Sequence, residues 1–262
     1  MKVLITGGTG TLGSELVRAV TGTGHTVRIV SRRSRPENIN DNIEFAQADL
    51  STGEGVTEAV SGVSTIIHAA TSPYSGALEV DVEGTRRLMA ASEPNGVEHF
   101  IYPSIVGIED IHFNYYRHKL EAEHIIQEGA VPYSILRGTQ FHSLIDQFIT
   151  ALLRVPFVSP FPTDFQVQSV AARDMAGRLS RLLEEGPGGR LPNFGGPEVQ
   201  QLREMARVWM AVRQQQKRVV RLPLPGQMAS AFREGKNTDP NRKQGRTTWQ
   251  EWLTESVERG NG

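Results

Sequence analysis

Val3-Leu4-Ile5-Thr6-Gly7-Gly8-Thr9-Gly10-Thr11-Leu12-Gly13 is a short apolar run that breaks into glycines and resumes as a helical pattern. The apolar run reads as a strand. Leu12, Leu16, Val17 and Val20 then share one helical face. The chain must reverse tightly between the two, which calls for a residue that tolerates positive φ. Gly7, Gly10 and Gly13 carry the spacing G-x-x-G-x-x-G. In such a turn the first glycine makes the reversal, the second admits a pyrophosphate close to the backbone, and the third lets helix and strand pack. The N–H groups at the helix start then face the phosphates, helped by the helix dipole. Thr9, Thr11 and Leu12 belong to the same predicted nucleotide loop. The strand before and the helix after are what separate this pattern from an ordinary glycine turn.

Downstream, apolar runs alternate with amphipathic stretches. Val27–Val30, Ile43–Ala46, Thr65–His68, His99–Tyr102 and Pro132–Leu136 read as five further strands. Val80, Val82, Leu88 and Met89 mark a helix with Asp81 and Glu83 in its first turn, where the dipole favours negative charge. Strands separated in this way predict an α/β fold, a Rossmann-type doubly wound parallel sheet closed by right-handed crossovers. The second half is less regular. Residues 154–164 hold Pro156, Pro160 and Pro162 and read as a connecting loop with short extended pieces. Helices are predicted over Ala172–Leu183 and Gln200–Ala211, and a last one begins at the capping box Thr248/Glu251. The expected organisation is a dinucleotide-binding domain over residues 1–154 and a smaller C-terminal substrate lobe over 155–262, partly interleaved with it.

The end of the second strand selects the nucleotide. A carboxylate there accepts from a ribose 2′-hydroxyl; this chain has Ser31-Arg32-Arg33 instead. Guanidinium groups fork onto phosphate, so these residues predict NADP(H). Asp49-Leu50 follows the third strand, where the aspartate either accepts from the adenine amino group or serves its own loop. Ala69 and Ala70 end the fourth strand with small side chains that leave room for a cofactor. His68 before them reads as a packed or supporting histidine.

Tyr115 and Lys119 stand four residues apart, on one face of a predicted helix after the fifth strand. A nearby ammonium lowers a tyrosine pKa towards the range useful for proton transfer, and the same lysine is placed to bond the nicotinamide ribose. Ser104, at the end of the fifth strand, is the candidate for polarising a substrate carbonyl. Tyr116, three residues from Lys119, competes with Tyr115 as donor.

Composition narrows the classes. There are 28 Lys and Arg against 29 Asp and Glu, and this near-neutral balance argues against binding driven by nucleic-acid phosphates. The chain has no cysteine, which removes disulfides, thiolate metal sites and cysteine nucleophiles. No metal site is predicted. The first apolar run is too short for a secretory signal, and no segment approaches the roughly 18 apolar residues of a membrane span. A cytoplasmic protein is the expectation, without nucleic-acid or membrane partners and open to homo-oligomerisation.

The chain resembles the extended and atypical branch of the short-chain dehydrogenase/reductase superfamily that includes the NmrA-like proteins. The resemblance rests on Thr6-Gly7-x-x-Gly10-x-x-Gly13, Arg32, Asp49-Leu50, His68-Ala69-Ala70 and Asp81-Val82-Glu83-Gly84-Thr85. It continues through Ser104, Tyr115-x-x-x-Lys119, Val131–Arg137 and the late segments Phe194–Glu198 and Thr248–Leu253. It implies hydride transfer between nicotinamide and a carbonyl, with Tyr115 as acid/base, Lys119 as ribose partner and Ser104 as polarising hydroxyl. It also implies that Arg137–His142 lines the nicotinamide end. Gln140, Phe141 and Phe161, with Tyr116, are the expected pocket residues. Phe157 and Phe165 complete an apolar set suited to an aromatic or other hydrophobic carbonyl compound, as in a ketoreductase. Some atypical members act as NADP(H) sensors, and some extended members are epimerases or dehydratases; both remain alternatives.

Overall fold

The structure is a computed structural model, and it describes residues 1–35, 43–73, 76–154 and 158–260. Pro156 and Phe157, singled out above, lie outside the described residues.

The first part of the chain follows the expected alternation. Strand β1 (Lys2–Thr6) leads into α1 (Thr11–Thr21), β2 (Thr26–Ser31), β3 (Glu44–Gln47), α2 (Val56–Val60) and β4 (Thr65–His68). A π-helical turn, Leu78–Glu83, then runs into α3 (Gly84–Ser92), followed by β5 (His99–Ile105), α4 (Asn114–Glu128) and β6 (Tyr133–Gly138). The remainder comprises α5 (His142–Leu152), β7 (Val158–Phe161), β8 (Gln166–Val167), α6 (Ala172–Glu185), β9 (Gly189–Arg190) and β10 (Gln200–Gln201). It ends with α7 (Leu202–Val212), β11 (Arg218–Arg221), α8 (Gln227–Arg233) and α9 (Trp249–Glu258).

Seven strands form one sheet in the order β3-β2-β1-β4-β5-β6-β9. The pairings of β1 with β2 and β4, of β2 with β3, of β4 with β5 and of β6 with β9 are all parallel. From β1 the chain winds outwards to β2 and β3, then returns to β4 on the other side of β1. The switch point, where such sheets bind ligands at their carboxyl ends, therefore lies between β1 and β4. β1 and β4 are buried throughout except for Lys2, as parallel strands covered on both faces must be.

The chain divides into two compact units: Met1–Ser104, Asn114–Arg137 and Met175–Pro192 in one, and Ile105–Phe113, Gly138–Asp174 and Asn193–Gly262 in the other. The first has its own core, in which Leu4, Val60, Ile66, Leu88, Phe100, Tyr102, Ala122 and Ile135 are essentially inaccessible. The second packs Ile149, Phe161, Met205, Trp209, Trp249 and Leu253 together. Each such large apolar side chain contributes about 1.5–3 kcal/mol by leaving water. No described helix is long and apolar enough to cross a membrane.

Buried histidines tie both units to pH. His68 is fully enclosed, with Nδ1 2.7 Å from Thr6 Oγ1 and Nε2 3.1 Å from Thr85 Oγ1. Burial first, and then the charge of Lys119, lowers its pKa to about 3. In the second unit His142 lies 2.7 Å from Ser169 Oγ and 3.0 Å from the Thr247 carbonyl, and burial lowers it to about 4. Unfolded, both imidazoles take up a proton near pH 6.5; folded, both resist. The unfolded chain thus binds more protons between those limits. Stability fully present above pH 6.5 is lost as pH falls, at about 1.4 kcal/mol per pH unit for each histidine. Urea unfolding compared at about pH 7 and about pH 5 is expected to show the loss. Equal midpoints would contradict it.

Candidate dinucleotide and proton-transfer site

The turn after β1 needs its glycines for reasons visible atom by atom. Gly7 has φ +66°, and a Cβ on it would lie 2.7 Å from Ala70 Cα and 2.8 Å from the Ala69 carbonyl. A Cβ on Gly13 would sit 1.9 Å from the Gly7 carbonyl oxygen, so the helix leans on the turn where only hydrogen fits. Gly8, which the motif spacing passes over, presses on Ile29 of β2 with 2.7 Å available to a Cβ. At Gly10 a Cβ would meet the Gly7 carbonyl at 3.2 Å and nothing else within 4 Å. A side chain there would fill open space in front of the helix.

Gly10 N–H donates back to the Gly7 carbonyl at 2.9 Å, and the first helical bond runs from Ser14 N–H to Gly10 O. The N–H groups of Thr11, Leu12 and Gly13 therefore precede the helical ladder, and no side chain caps them. Thr9, Gly10 and Thr11 are exposed, whereas Leu12 and Gly13 are buried. An uncapped positive helix end beside an open glycine is a cradle for a diphosphate.

The other predicted cofactor residues gather along the same carboxyl edge. Arg32 and Arg33 follow β2 and are exposed; the Arg33 N–H donates to Ser31 Oγ at 3.2 Å. Asp49, two residues past β3, accepts from Ser51 N–H at 2.8 Å and from Ser51 Oγ at 2.6 Å. The Ser51 side-chain bond, aided by the backbone bond and the charge of Arg32, lowers its pKa. Of the two readings, loop closure by Asp49 is therefore present. Leu50 is buried under Gly84. Ala69 and Ala70 form the wall against Gly7, and the Ala70 N–H donates to Thr6 Oγ1 at 3.1 Å. His68 is the packed histidine described above. Thr6 and Thr85, named above only as parts of motifs and without this role, supply the two hydroxyls that hold it. The buried end of β1 was the available signal for Thr6, whereas Thr85 lies on α3 and reaches the histidine only through tertiary packing.

Tyr115 and Lys119 both lie on α4, but their functional groups go to different partners. Lys119 is buried, donates to the Pro103 carbonyl at 3.0 Å, and stands 3.9 Å over the Tyr102 ring. Burial draws its pKa down to about 8, against the opposing pull of Asp81 and Glu123. The Tyr115 hydroxyl lies 2.9 Å from Thr71 Oγ1. Burial, and after it the charge of Asp81, hold the phenol well above its ordinary value. The expectation that the lysine lowers the tyrosine is thus corrected: in this structure the phenol is raised.

Asp81 stands in the first turn of the π-helical segment, as predicted, whereas Glu83 closes that segment. The Asp81 carboxylate is buried, with Thr71 Oγ1 donating to Oδ1 at 2.5 Å and Ser72 N–H to Oδ2 at 2.9 Å.

Ser104 Oγ is buried at the carboxyl end of β5, next to the carbonyl that Lys119 binds, and has no hydrogen-bond partner among the described residues. The Tyr102 hydroxyl is likewise orphaned. Tyr116 is buried beside Tyr115, ring centroids 6.2 Å apart.

The expected pocket residues of the second unit divide. Gln140 Oε1 accepts from Asn237 Nδ2 at 3.1 Å, while its Nε2 is buried without a partner among the described residues. Phe141 is half-buried at the start of α5 and bridges to Val170. Phe161 is fully buried against Phe148, ring centroids 6.5 Å apart, so it serves the core rather than an open wall. Phe165 stacks on Phe232 at 5.3 Å. In the first unit Arg137, expected at the nicotinamide end, forks onto Glu123 at 2.8 and 2.6 Å. Among the described residues no cluster of metal-ligating side chains occurs.

The model of the NmrA-like family matches residues 1–185. A 3-beta-hydroxysteroid dehydrogenase of Mycolicibacterium neoaurum is 33% identical over 126 residues, 42% of this chain and 34% of that protein. Photosystem II assembly factor Ycf39 of Trieres chinensis is 30% identical over 160 residues, 58% of this chain and 50% of its own length. This chain thus spans half or less of those curated relatives. Among solved structures, Citrobacter sp. triphenylmethane reductase complexed with NADP(H) superposes with a TM-score of 0.79. It is 18% identical, and the match covers 98% of this chain and all of that one. At that identity the likeness is one of fold.

Proposed function

Since the chain belongs to the NmrA-like family, we propose that it is an NADP(H)-dependent oxidoreductase acting on a carbonyl or quinone of a small hydrophobic molecule. The observation that carries this is the uncapped glycine turn at the β1/β4 switch point, with Arg32 and Arg33 where a ribose-reading carboxylate would otherwise stand. The amides of Thr9–Gly13 hold the pyrophosphate, the two arginines hold the 2′-phosphate, and Lys119 serves the ribose. The bound dinucleotide supplies or accepts the hydride. Tyr115 gives the proton to the substrate oxygen in the direction of reduction. Ser104, whose hydroxyl has no partner among the described residues, donates a hydrogen bond to that same oxygen. A buried polar atom left unpaired costs about 1–3 kcal/mol, which a substrate contact recovers.

The test is NADPH oxidation followed at its near-ultraviolet absorbance across a panel of aromatic ketones, steroids and quinones. Turnover with at least one member, absent with NADH at equal concentration, is the expected result.

A second reading, a non-catalytic NADP(H) sensor, is favoured by the similarity to an assembly factor. It predicts different affinities for NADP and NADPH with no turnover across the panel.

A further inference from the structure

The contacts of Thr71 settle a proton direction. Its Oγ1 is 2.5 Å from Asp81 Oδ1 and 2.9 Å from the Tyr115 hydroxyl. A threonine hydroxyl carries one proton, and a carboxylate can only accept. With that proton committed to Asp81 in a short charge-assisted bond, Thr71 presents a lone pair to Tyr115. Tyr115 is therefore the donor of the 2.9 Å contact.

Asp81 is itself pinned. Its second oxygen accepts from Ser72 N–H, and its backbone carbonyl accepts from Thr85 Oγ1 at 2.5 Å, the same hydroxyl that lies 3.1 Å from His68 Nε2. Buried in this way, the carboxylate has no freedom to turn from Thr71.

We infer that Thr71 and Asp81 are positioning residues that keep Tyr115 protonated, its proton resting on the one-way chain Tyr115 to Thr71 to Asp81 until a substrate oxygen replaces Thr71 as acceptor. This rests on Tyr115 being the proton donor to substrate. Among the described residues the other ionisable groups around the phenol are Tyr116 on α4, Tyr102 on β5, whose burial raises its pKa, and Lys119, whose ammonium is directed to Pro103. Asp81 is the anion on this side of the hydroxyl, and its charge opposes formation of the phenolate. The pair thereby keeps the donor loaded into alkaline solution.

The chain has a polarity that substitution can reverse. In Asp81→Asn the amide oxygen still accepts from Ser72, while the amide N–H faces Thr71. The Thr71 proton is then released towards Tyr115, where it stabilises the phenolate.

Tyrosine labelled with 13C at Cζ, titrated by NMR in the cofactor-free protein, reads this without turnover; the Tyr115 signal is assigned by its loss in Tyr115→Phe. Thr71→Val, at an exposed position, is expected to lower the Tyr115 midpoint, because an acceptor that favoured the phenol is gone. Thr71→Ser should retain the wild-type midpoint. Asp81→Asn should lower it by about one pH unit or more, and by less than half as much when Thr71 is already valine. A rise in Thr71→Val means that Thr71 donates to Tyr115 and overturns the proposal. So does no shift in Asp81→Asn, or an equal shift in both backgrounds, which would mark a direct field. Should Asp81→Asn fail to fold, the sign of the Thr71→Val shift decides alone. The titration stands apart from catalysis, so a turnover unaffected by Tyr115→Phe removes the donor role without altering the measured chain.

Discussion

Tyr115→Phe is expected to lower turnover with a carbonyl substrate by about 10²–10⁴-fold, the usual contribution of one positioned general acid, while NADPH affinity stays at its wild-type value. The reason is local. The substitution removes one oxygen, which lies on Thr71, and leaves the ring and α4 in place. No residue proposed to hold the dinucleotide bonds that oxygen. A loss of this size corresponds to about 3–5 kcal/mol of transition-state stabilisation. Tyr116→Phe is the comparison: it shares the helix and the neighbourhood. Full activity in Tyr115→Phe together with a large loss in Tyr116→Phe would move the donor role one residue along. Full activity in both would remove tyrosine from the chemistry. The alkaline limb supplies a second check. Burial and Asp81 hold Tyr115 protonated, so ionisation of the phenol should cause no fall in kcat/KM for reduction at the ordinary tyrosine value of about 10, and a fall near pH 8 would report Lys119. A fall beginning near pH 7 would place the titrating group elsewhere.

The second large effect belongs to the backbone. Gly13→Ala puts a Cβ at 1.9 Å from the Gly7 carbonyl oxygen, a separation that no rotamer relieves because both partners are main chain. The helix must then withdraw from the turn, taking the N–H groups of Thr11 and Leu12 with it. NADPH binding is expected to weaken roughly tenfold or more, and stability to fall by about 1–3 kcal/mol, as overpacked cores do. Gly22→Ala is the matching control: at the other end of the same helix it has helical dihedrals, and its nearest non-neighbour atom would be 3.4 Å away. It should leave binding unchanged. Wild-type NADPH affinity in Gly13→Ala would mean that the turn does not hold the cofactor.

The glycine turn was legible because backbone geometry leaves few choices. A reversal at positive φ and a helix packed within hydrogen distance of a carbonyl both exclude side chains, so the residues announce themselves in order along the chain. The six sheet strands of the first part were legible for a related reason. Parallel strands covered on both faces are short continuous apolar runs, and their ends shifted by three residues or fewer, the largest being the extension of β5 to Ile105. β9 was hidden: Gly189–Arg190 follows Gly186-Pro187-Gly188, a sequence that reads as turn punctuation, yet it adds the last strand to the sheet beside β6. Helices α5 and α8 were passed over as well. α5 follows directly on a segment read only for pocket residues, and α8 has seven residues, too few to establish a period.

The surroundings of Tyr115 were not legible, and the cause is tertiary. The spacing of Tyr115 and Lys119 places them on one helix face but does not say where a lysine of that length puts its ammonium. Burial against Tyr102 and the Pro103 carbonyl decides that. Thr71 and Asp81 are 44 and 34 residues upstream of Tyr115 and meet it only once β4, the π-helical turn and α4 are packed. Burial of the phenol, with the Asp81 charge after it, reverses the expected sign of the tyrosine shift. Phe161 belongs to the same class, since an isolated phenylalanine between prolines carries no mark that separates core from pocket.

Isothermal titration calorimetry of the wild-type protein with NADPH and with NADH, at one ionic strength, tests the assignment of the glycine turn and its arginines directly. The expected result is saturable binding of NADPH at one site per chain, with NADH at least about tenfold weaker, a difference of about 1.4 kcal/mol. No heat with either dinucleotide, or NADH binding as tightly as NADPH, would contradict it.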